Sequence, residues 1–201
     1  LSGISNSKTI FCQEMGYYSI YKSDRYGFNN PDSEWDATKV EWLLTGDSFT
    51  EGLAVQPGED IAGQIRVITQ ESAINLGRSG NGPLIELAGL TEYARAIKPK
   101  RVLWIYFYND LLADLKRDEN NPLLMPYMED GFSQNLISRQ KEIDTRLERY
   151  IFDEKVNRAQ ALALASDSAQ AQAEADMKAY QEAAAEVEKK KAEMEMTNNN
   201  N

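Results

Sequence analysis

Apolar positions fall into three short runs, each followed by polar, glycine-bearing residues and then by a stretch with helical spacing. Residues 40–45 (VEWLLT) end at Gly46, and residues 61–68 place apolar side chains at helix-like intervals behind Pro57, Glu59 and Asp60. The pattern predicts strand, tight turn, helix. Residues 72–77 (SAINLG) form a second short apolar run, followed by the glycine-rich GRSGNGP and a predicted helix over 83–96, whose proline suits a first helical turn. Residues 101–108 (RVLWIYFY) are β-branched and aromatic without alternation, which predicts a strand covered on both faces in a parallel sheet. Three successive strand–helix units predict an α/β fold, a doubly wound parallel sheet. Such sheets bind ligands outside the carboxyl ends of their strands. Ser48, Gly80 and Asn109 lie just past the three predicted strand ends, so the three loops should converge on one crevice.

The pattern changes after about Phe132. Residues 132–160 read as one long helical stretch with Leu136, Ile143, Leu147 and Tyr150 along one face, suited to packing on the domain. From about Arg158 alanine, glutamate, glutamine and lysine dominate, a composition that favours helix strongly and offers little to bury. Heptad core positions there are mostly alanine or polar, so a solvated helix is favoured over an obligate coiled coil. The asparagine run 198–201 is of low complexity and predicts disorder. The expected division is an α/β domain over 1–152, a helical extension over 153–197 and the asparagine tail.

Composition narrows the partners. The net charge of −10 repels phosphate backbones and anionic lipid surfaces, which argues against nucleic acid. The single cysteine, Cys12, has no internal disulfide partner, and no Cys/His cluster offers a zinc site. There is no apolar run of membrane-spanning length, and a start at Leu1 instead of methionine is compatible with a removed leader. The compartment therefore stays open between cytoplasm and a bacterial envelope or periplasm. Gly77, Gly80 and Gly82 lack the GxGxxG spacing of a dinucleotide loop, so no cofactor is expected. The alternating acids Asp32, Glu34 and Asp36 suit a solvated loop better than a cation site. The chain contains no histidine, the usual general base near neutral pH.

The stretch LLTGDSFTEG (43–52) raises the possibility of nucleophilic chemistry. A serine that attacks a carbonyl needs a rigid perch, a base, and donors aimed at the oxyanion. A Gly-Asp-Ser turn at a strand end supplies the perch. Alternatively, Ser48 or Thr50 caps a helix, and Asn109 and Asp110 serve only as turn residues. LLTGDSFTEG resembles the first block of the SGNH, or GDSL-type, ester hydrolase family, and NLGRSGNGP and YFYNDLL match its next two blocks in order. The resemblance implies a flavodoxin-like SGNH domain with Ser48 as nucleophile and an oxyanion hole made by the N–H groups of Ser48 and Gly80 with the side chain of Asn109. It implies hydrolysis of small acyl esters through an acyl-enzyme. DRYGFNNPDSEWD (24–36) and PLLMPYMEDGFSQNLISRQKEID (122–144) are similar to a bacterial envelope branch of that family associated with modifying surface polysaccharide, which points to acylated carbohydrate. The resemblance spans residues 17–150.

Two departures follow. Phe107 and Tyr108 stand where the family's third block has a glycine beside its asparagine, and the family's last block, an aspartate and a histidine after a later strand, is missing. In serine hydrolases, loss of nucleophile or base alone costs on the order of 10⁶ in turnover, or about 8 kcal/mol of transition-state stabilisation. The chain by itself should therefore hydrolyse esters very slowly. A truncated frame and a real loss of the base leave the same sequence. Two non-enzymatic expectations stand beside this one: a binding or assembly module that docks or oligomerises through its acidic helix, and a three-stranded half-sheet whose exposed edge invites aggregation or a completing partner.

Overall fold

The computed structural model describes residues 1–11 and 16–198. Cys12 lies outside them, as do residues 199–201 of the asparagine run; Asn198 is the last residue of the final helix. The chain divides into two compact units, Leu1–Glu148 and Arg149–Asn201.

The first unit holds a three-stranded parallel sheet and a small hairpin. Strands β1 (Lys8–Ile10) and β2 (Ile20–Lys22) pair antiparallel. Strand β3 (Trp42–Thr45) is central, flanked by β4 (Ala73–Asn75) and β5 (Arg101–Trp104), with Leu43 opposite both Ile74 and Val102. The order β4-β3-β5 follows from two crossovers that both start at the carboxyl end of a strand and return to the amino end, as parallel pairing demands.

Alternation along β3 decides the two cores. Leu43 packs with Ile74, Leu76, Phe28, Val40 and Tyr93, while Leu44 packs on the other face with Ala62 and Ala73. Helix α2 (Ile61–Thr69), capped by the Asp60 carboxylate accepting from Gly63 N at 3.0 Å, covers the Leu44 face. The opposite face is covered by a π turn (Leu90–Ala94) and α4 (Arg95–Ile97), through Leu90, Tyr93, Ala94 and Ile97; both continue α3 (Pro83–Gly89), which packs instead against Leu124 and Tyr127. The predicted helix 83–96 is therefore present in extent and widened at its middle.

The edges of this sheet are treated unequally. Asn30 closes the outer edge of β4 with a paired amide, donating to Asn75 O at 2.9 Å and accepting from Asn75 N at 2.8 Å, and Glu34 accepts from Ala73 N at 3.0 Å. Asn30 is itself held by buried Asp24, whose carboxylate also takes the Tyr26 and Phe28 amides and the Trp35 indole. Asp32 and Asp36 grip Arg25 at 2.8 and 2.7 Å, which accounts for two of the alternating acids. On the other side β5 does not have the two-sided cover its sequence predicted. Val102, Leu103 and Trp104 are 50, 37 and 45 % exposed, and no further strand pairs with it among the described residues. An unbroken apolar run marks a strand but does not specify which elements arrive to cover it.

Helix α6 (Gln140–Asn198) begins eight residues beyond the predicted change of pattern at Phe132, after 3₁₀ turns at Met125–Met128 and Leu136–Arg139. Within the first unit Ile143 and Leu147 are half-buried, and Asp144 accepts from Ser5 N and Oγ at 2.9 and 2.6 Å. In the second unit residues 149–166 are exposed, Tyr150 included, which is how a helix with few large apolar residues stays solvated. No described helix is long and apolar enough to cross a membrane.

Candidate active site

Strand β3 delivers the chain into Gly46, where no side chain fits: a Cβ would lie 2.1 Å from Thr50 Oγ1 and 2.8 Å from Ile105 O. The next residue, Asp47, is the N-cap of a single helical turn, α1 (Ser48–Glu51), and its carboxylate accepts from Phe49 N at 2.9 Å. The cap is thus Asp47, and neither Ser48 nor Thr50 plays that part. Ser48 is the first residue of the turn, half-buried, and its hydroxyl makes no hydrogen bond among the described residues.

The loop after β4 is pressed onto this turn. At Gly77 a Cβ would fall 2.5 Å from both Glu51 N and Thr50 Cβ, so only glycine allows the approach. Asn75 stitches the contact, its amide donating to Thr50 O at 2.5 Å while its oxygen accepts from Gly77 N at 2.7 Å. Arg78 N donates to Gly46 O at 3.2 Å. The buried Glu51 carboxylate accepts from Ser79 N at 2.5 Å, Tyr21 Oη at 2.7 Å and Arg78 Nη1 at 3.1 Å. Beside the carboxylate, burial holds the Tyr21 phenol well above its ordinary value. Gly80, the sequence candidate in this loop, adopts a left-handed φ of +79° with open space where a side chain would go, and its carbonyl accepts from Arg117 Nη2 at 2.6 Å.

The loop after β5 joins the same cluster. The Phe107 ring packs against Phe49 at a tilt of 47°, with centroids 4.8 Å apart, placing the segment before Asn109 against the residue after Ser48. Asn109 opens a π turn (Asp110–Asp114) that continues into α5 (Leu115–Glu119). Its amide donates to Asp114 Oδ2 at 2.7 Å and, more weakly, to Asp110 Oδ1 at 3.5 Å. In this state the amide is committed to its own helix. Helix α5 in turn locks onto the β4 loop: Asp118 accepts from Leu84 N and Ile85 N at 3.2 and 3.3 Å, and a Cβ on Gly82 would lie 2.4 Å from its Oδ2. Asp118 thereby caps α3, whose own N-cap residue, Gly82, has no side chain to do so.

Carboxylates crowd behind these tips. Thr45 and Trp104 are register partners, so both side chains stand on the Leu43 face of the sheet, where Glu86 of α3 meets Trp104. There the Trp104 indole donates to Glu86 Oε2, while Glu86 Oε1 and Thr45 Oγ1 are buried without a partner among the described residues. Burial, opposed only by that indole, and the neighbouring Asp110, Asp47 and Asp118 push the Glu86 carboxyl up to about 7. Burial also raises Asp110, against the Phe107 N–H that favours its charge, with Asp47 and Asp114 adding to the rise. Arg117, at 2.8 Å from Asp114 and 3.4 Å from Asp118, is the cation that offsets part of this charge. Among the described residues no group of three potential ligands is arranged to hold a metal ion.

The three sequence candidates thus sit on three loops that the fold ties together. Glu51, Asn75, Asp118 and Glu86, which do much of the tying, carried no sequence signal. They are polar residues within turns or short helices, and neither periodicity nor motif spacing marks a polar side chain as buried. Set against protein-family models, curated proteins and solved structures, the chain matches none.

Proposed function

We propose that this chain is the nucleophile-bearing part of an SGNH-type serine ester hydrolase with the flavodoxin-like arrangement of that family, acting on acyl esters, acylated carbohydrate included. Ser48 attacks the ester carbonyl, and the N–H groups of Ser48 and Gly80 with the Asn109 amide receive the oxyanion. The observation that carries this reading is the division of labour at the β3 tip. Asp47 takes the capping role, so the adjacent serine hydroxyl is left without a partner among the described residues, on a turn held rigid by Gly46, Gly77 and Asn75. Asn109 joins the oxyanion hole by exchanging its bond to Asp114 for one to the substrate. With no histidine in the chain, proton removal from Ser48 is slow and turnover is weak.

The test is a fluorophosphonate probe on the full chain, read by peptide mass spectrometry. Slow labelling confined to Ser48 and abolished in Ser48→Ala is expected. Labelling that persists in Ser48→Ala, or no labelling of a folded chain, contradicts the assignment.

A second reading, an assembly module working through the acidic helix, is favoured by the exposed Tyr150, Phe152 and Val156 on α6. It requires an oligomer that dissociates when residues 159–201 are deleted. A monomer indifferent to that deletion removes it.

A further inference from the structure

A half-open cavity of about 350 Å³ lies in the first unit, between the β4–α3 loop, α3 and the segment 121–143. Its surface is mainly apolar, with Ile85, Leu123, Leu124, Leu136 and Ile143 in the lining beside Tyr93 and Tyr127. Small-molecule sites have this makeup: an apolar body with a few placed polar groups. Neither Ser48 nor Asn109 lines it.

Two polar side chains give the cavity a direction. Arg78 supplies the one charged side chain in its lining. The guanidinium is fixed by Nη1, bonded to Glu51 Oε1 and Tyr21 Oη at 3.1 Å each, which leaves Nε and Nη2 without a hydrogen-bond partner among the described residues. Asn81 is 6 % exposed, and its side-chain amide has no hydrogen bond within the described residues. Its N–H groups are thus available to an oxygen arriving from a ligand. Two buried acids stand near the cavity and both are already saturated. Glu51, bonded to Arg78 itself at 3.1 Å, also accepts from Ser79 N and Tyr21 Oη. Glu92 accepts from Tyr127 Oη, Ser133 Oγ, Gln134 N and Leu136 N, and although burial alone would raise it, these donors prevail and hold its carboxyl below the ordinary value.

We infer that this cavity binds a small amphipathic monocarboxylate, with the carboxylate on Arg78 and Asn81 and an aliphatic tail along Ile85, Leu124 and Leu136. The site goes beyond the ester chemistry assigned to Ser48 and does not depend on it. A guanidinium with two free N–H directions beside an unpaired amide matches the two oxygens of a carboxylate, and the hydrocarbon wall rejects a highly hydrated anion such as acetate.

Octanoate is the probe, titrated calorimetrically into the full chain. The site predicts saturable one-to-one binding, unchanged in Ser48→Ala, with octan-1-ol and acetate each weaker by about tenfold or more. Arg78→Gln and Asn81→Ala should each weaken octanoate by about tenfold. Since Arg78→Gln also removes a partner of Glu51, a second measurement uses the unaltered chain: a diazirine analogue of octanoate should crosslink to Ile85 or to residues 121–136, and excess octanoate should suppress the adduct. No saturable binding, equal affinity for octan-1-ol, unchanged affinity in both variants, or crosslinks elsewhere would each overturn the inference.

Discussion

At the scale of single residues, the region around Ser48 depends on places where a side chain is forbidden and on polar groups that satisfy one another. Gly77 is the sharpest case, because an added methyl would meet backbone at 2.5 Å, where nothing can rotate away. Gly77→Ala should destabilise the fold by roughly 2–4 kcal/mol, measured by urea denaturation. A change within experimental error would mean the α1 turn and the β4 loop are not in contact. Asn109 offers a complementary test, since Asp114 holds its amide at 2.7 Å. Asp114→Ala should free that N–H and speed fluorophosphonate labelling of Ser48 several-fold, short of the 10²–10³ credited to a whole oxyanion donor. The gain should vanish in the Asn109→Ala, Asp114→Ala double variant. An equal gain in both would assign the effect to charge alone. The Gly-Asp-Ser turn was legible in the sequence because its spacing is local. That Asp47 and not Ser48 is the cap was not, since either residue type fills that position.

At the scale of elements, α3 and β5 are joined through Glu86 and Trp104, and this tie is sensitive to pH. A carboxyl raised in the folded chain binds a proton that the unfolded chain releases near its ordinary value. Between about 4.5 and about 7 the native state therefore holds more protons, and stability falls as pH rises through that window. The fall attributable to Glu86 is roughly 2–3 kcal/mol. Glu86→Gln keeps an acceptor for the indole and removes the titration, so the difference in unfolding free energy between variant and parent should grow by that amount from pH 5 to pH 8. A pH-independent difference would place Glu86 in water. The strands and the two crossover helices were legible from periodicity, with ends off by up to four residues. The hairpin β1–β2 was not, because three-residue strands are too short to establish a period of two.

At the scale of the whole molecule, the contrast between the two sheet edges stands out. Asn30 and Glu34 close β4, whereas β5 and the segment after it expose Trp104, Tyr106, Tyr108, Leu111 and Leu112. An unpaired strand flanked by apolar side chains is a template for pairing with another chain. The full chain should self-associate with rising concentration, and Val102→Lys with Leu112→Lys should suppress this in light scattering without lowering the melting temperature. Association unaffected by both changes would move the sticky surface elsewhere. The sequence predicted β5 correctly as a strand and wrongly as covered, because cover is a property of neighbouring elements and not of the run itself.

The Ser48 hydroxyl, free of partners among the described residues at the meeting of three loops, is probed most directly by acylation with p-nitrophenyl acetate. Peptide mapping after exposure of the full chain should find acetyl on Ser48 as the dominant serine adduct. It should persist, because no histidine is present to drive its hydrolysis, and it should form more slowly in Asn109→Ala. Acetyl spread over surface lysines with Ser48 unmodified, in a chain shown to be folded, would contradict the account.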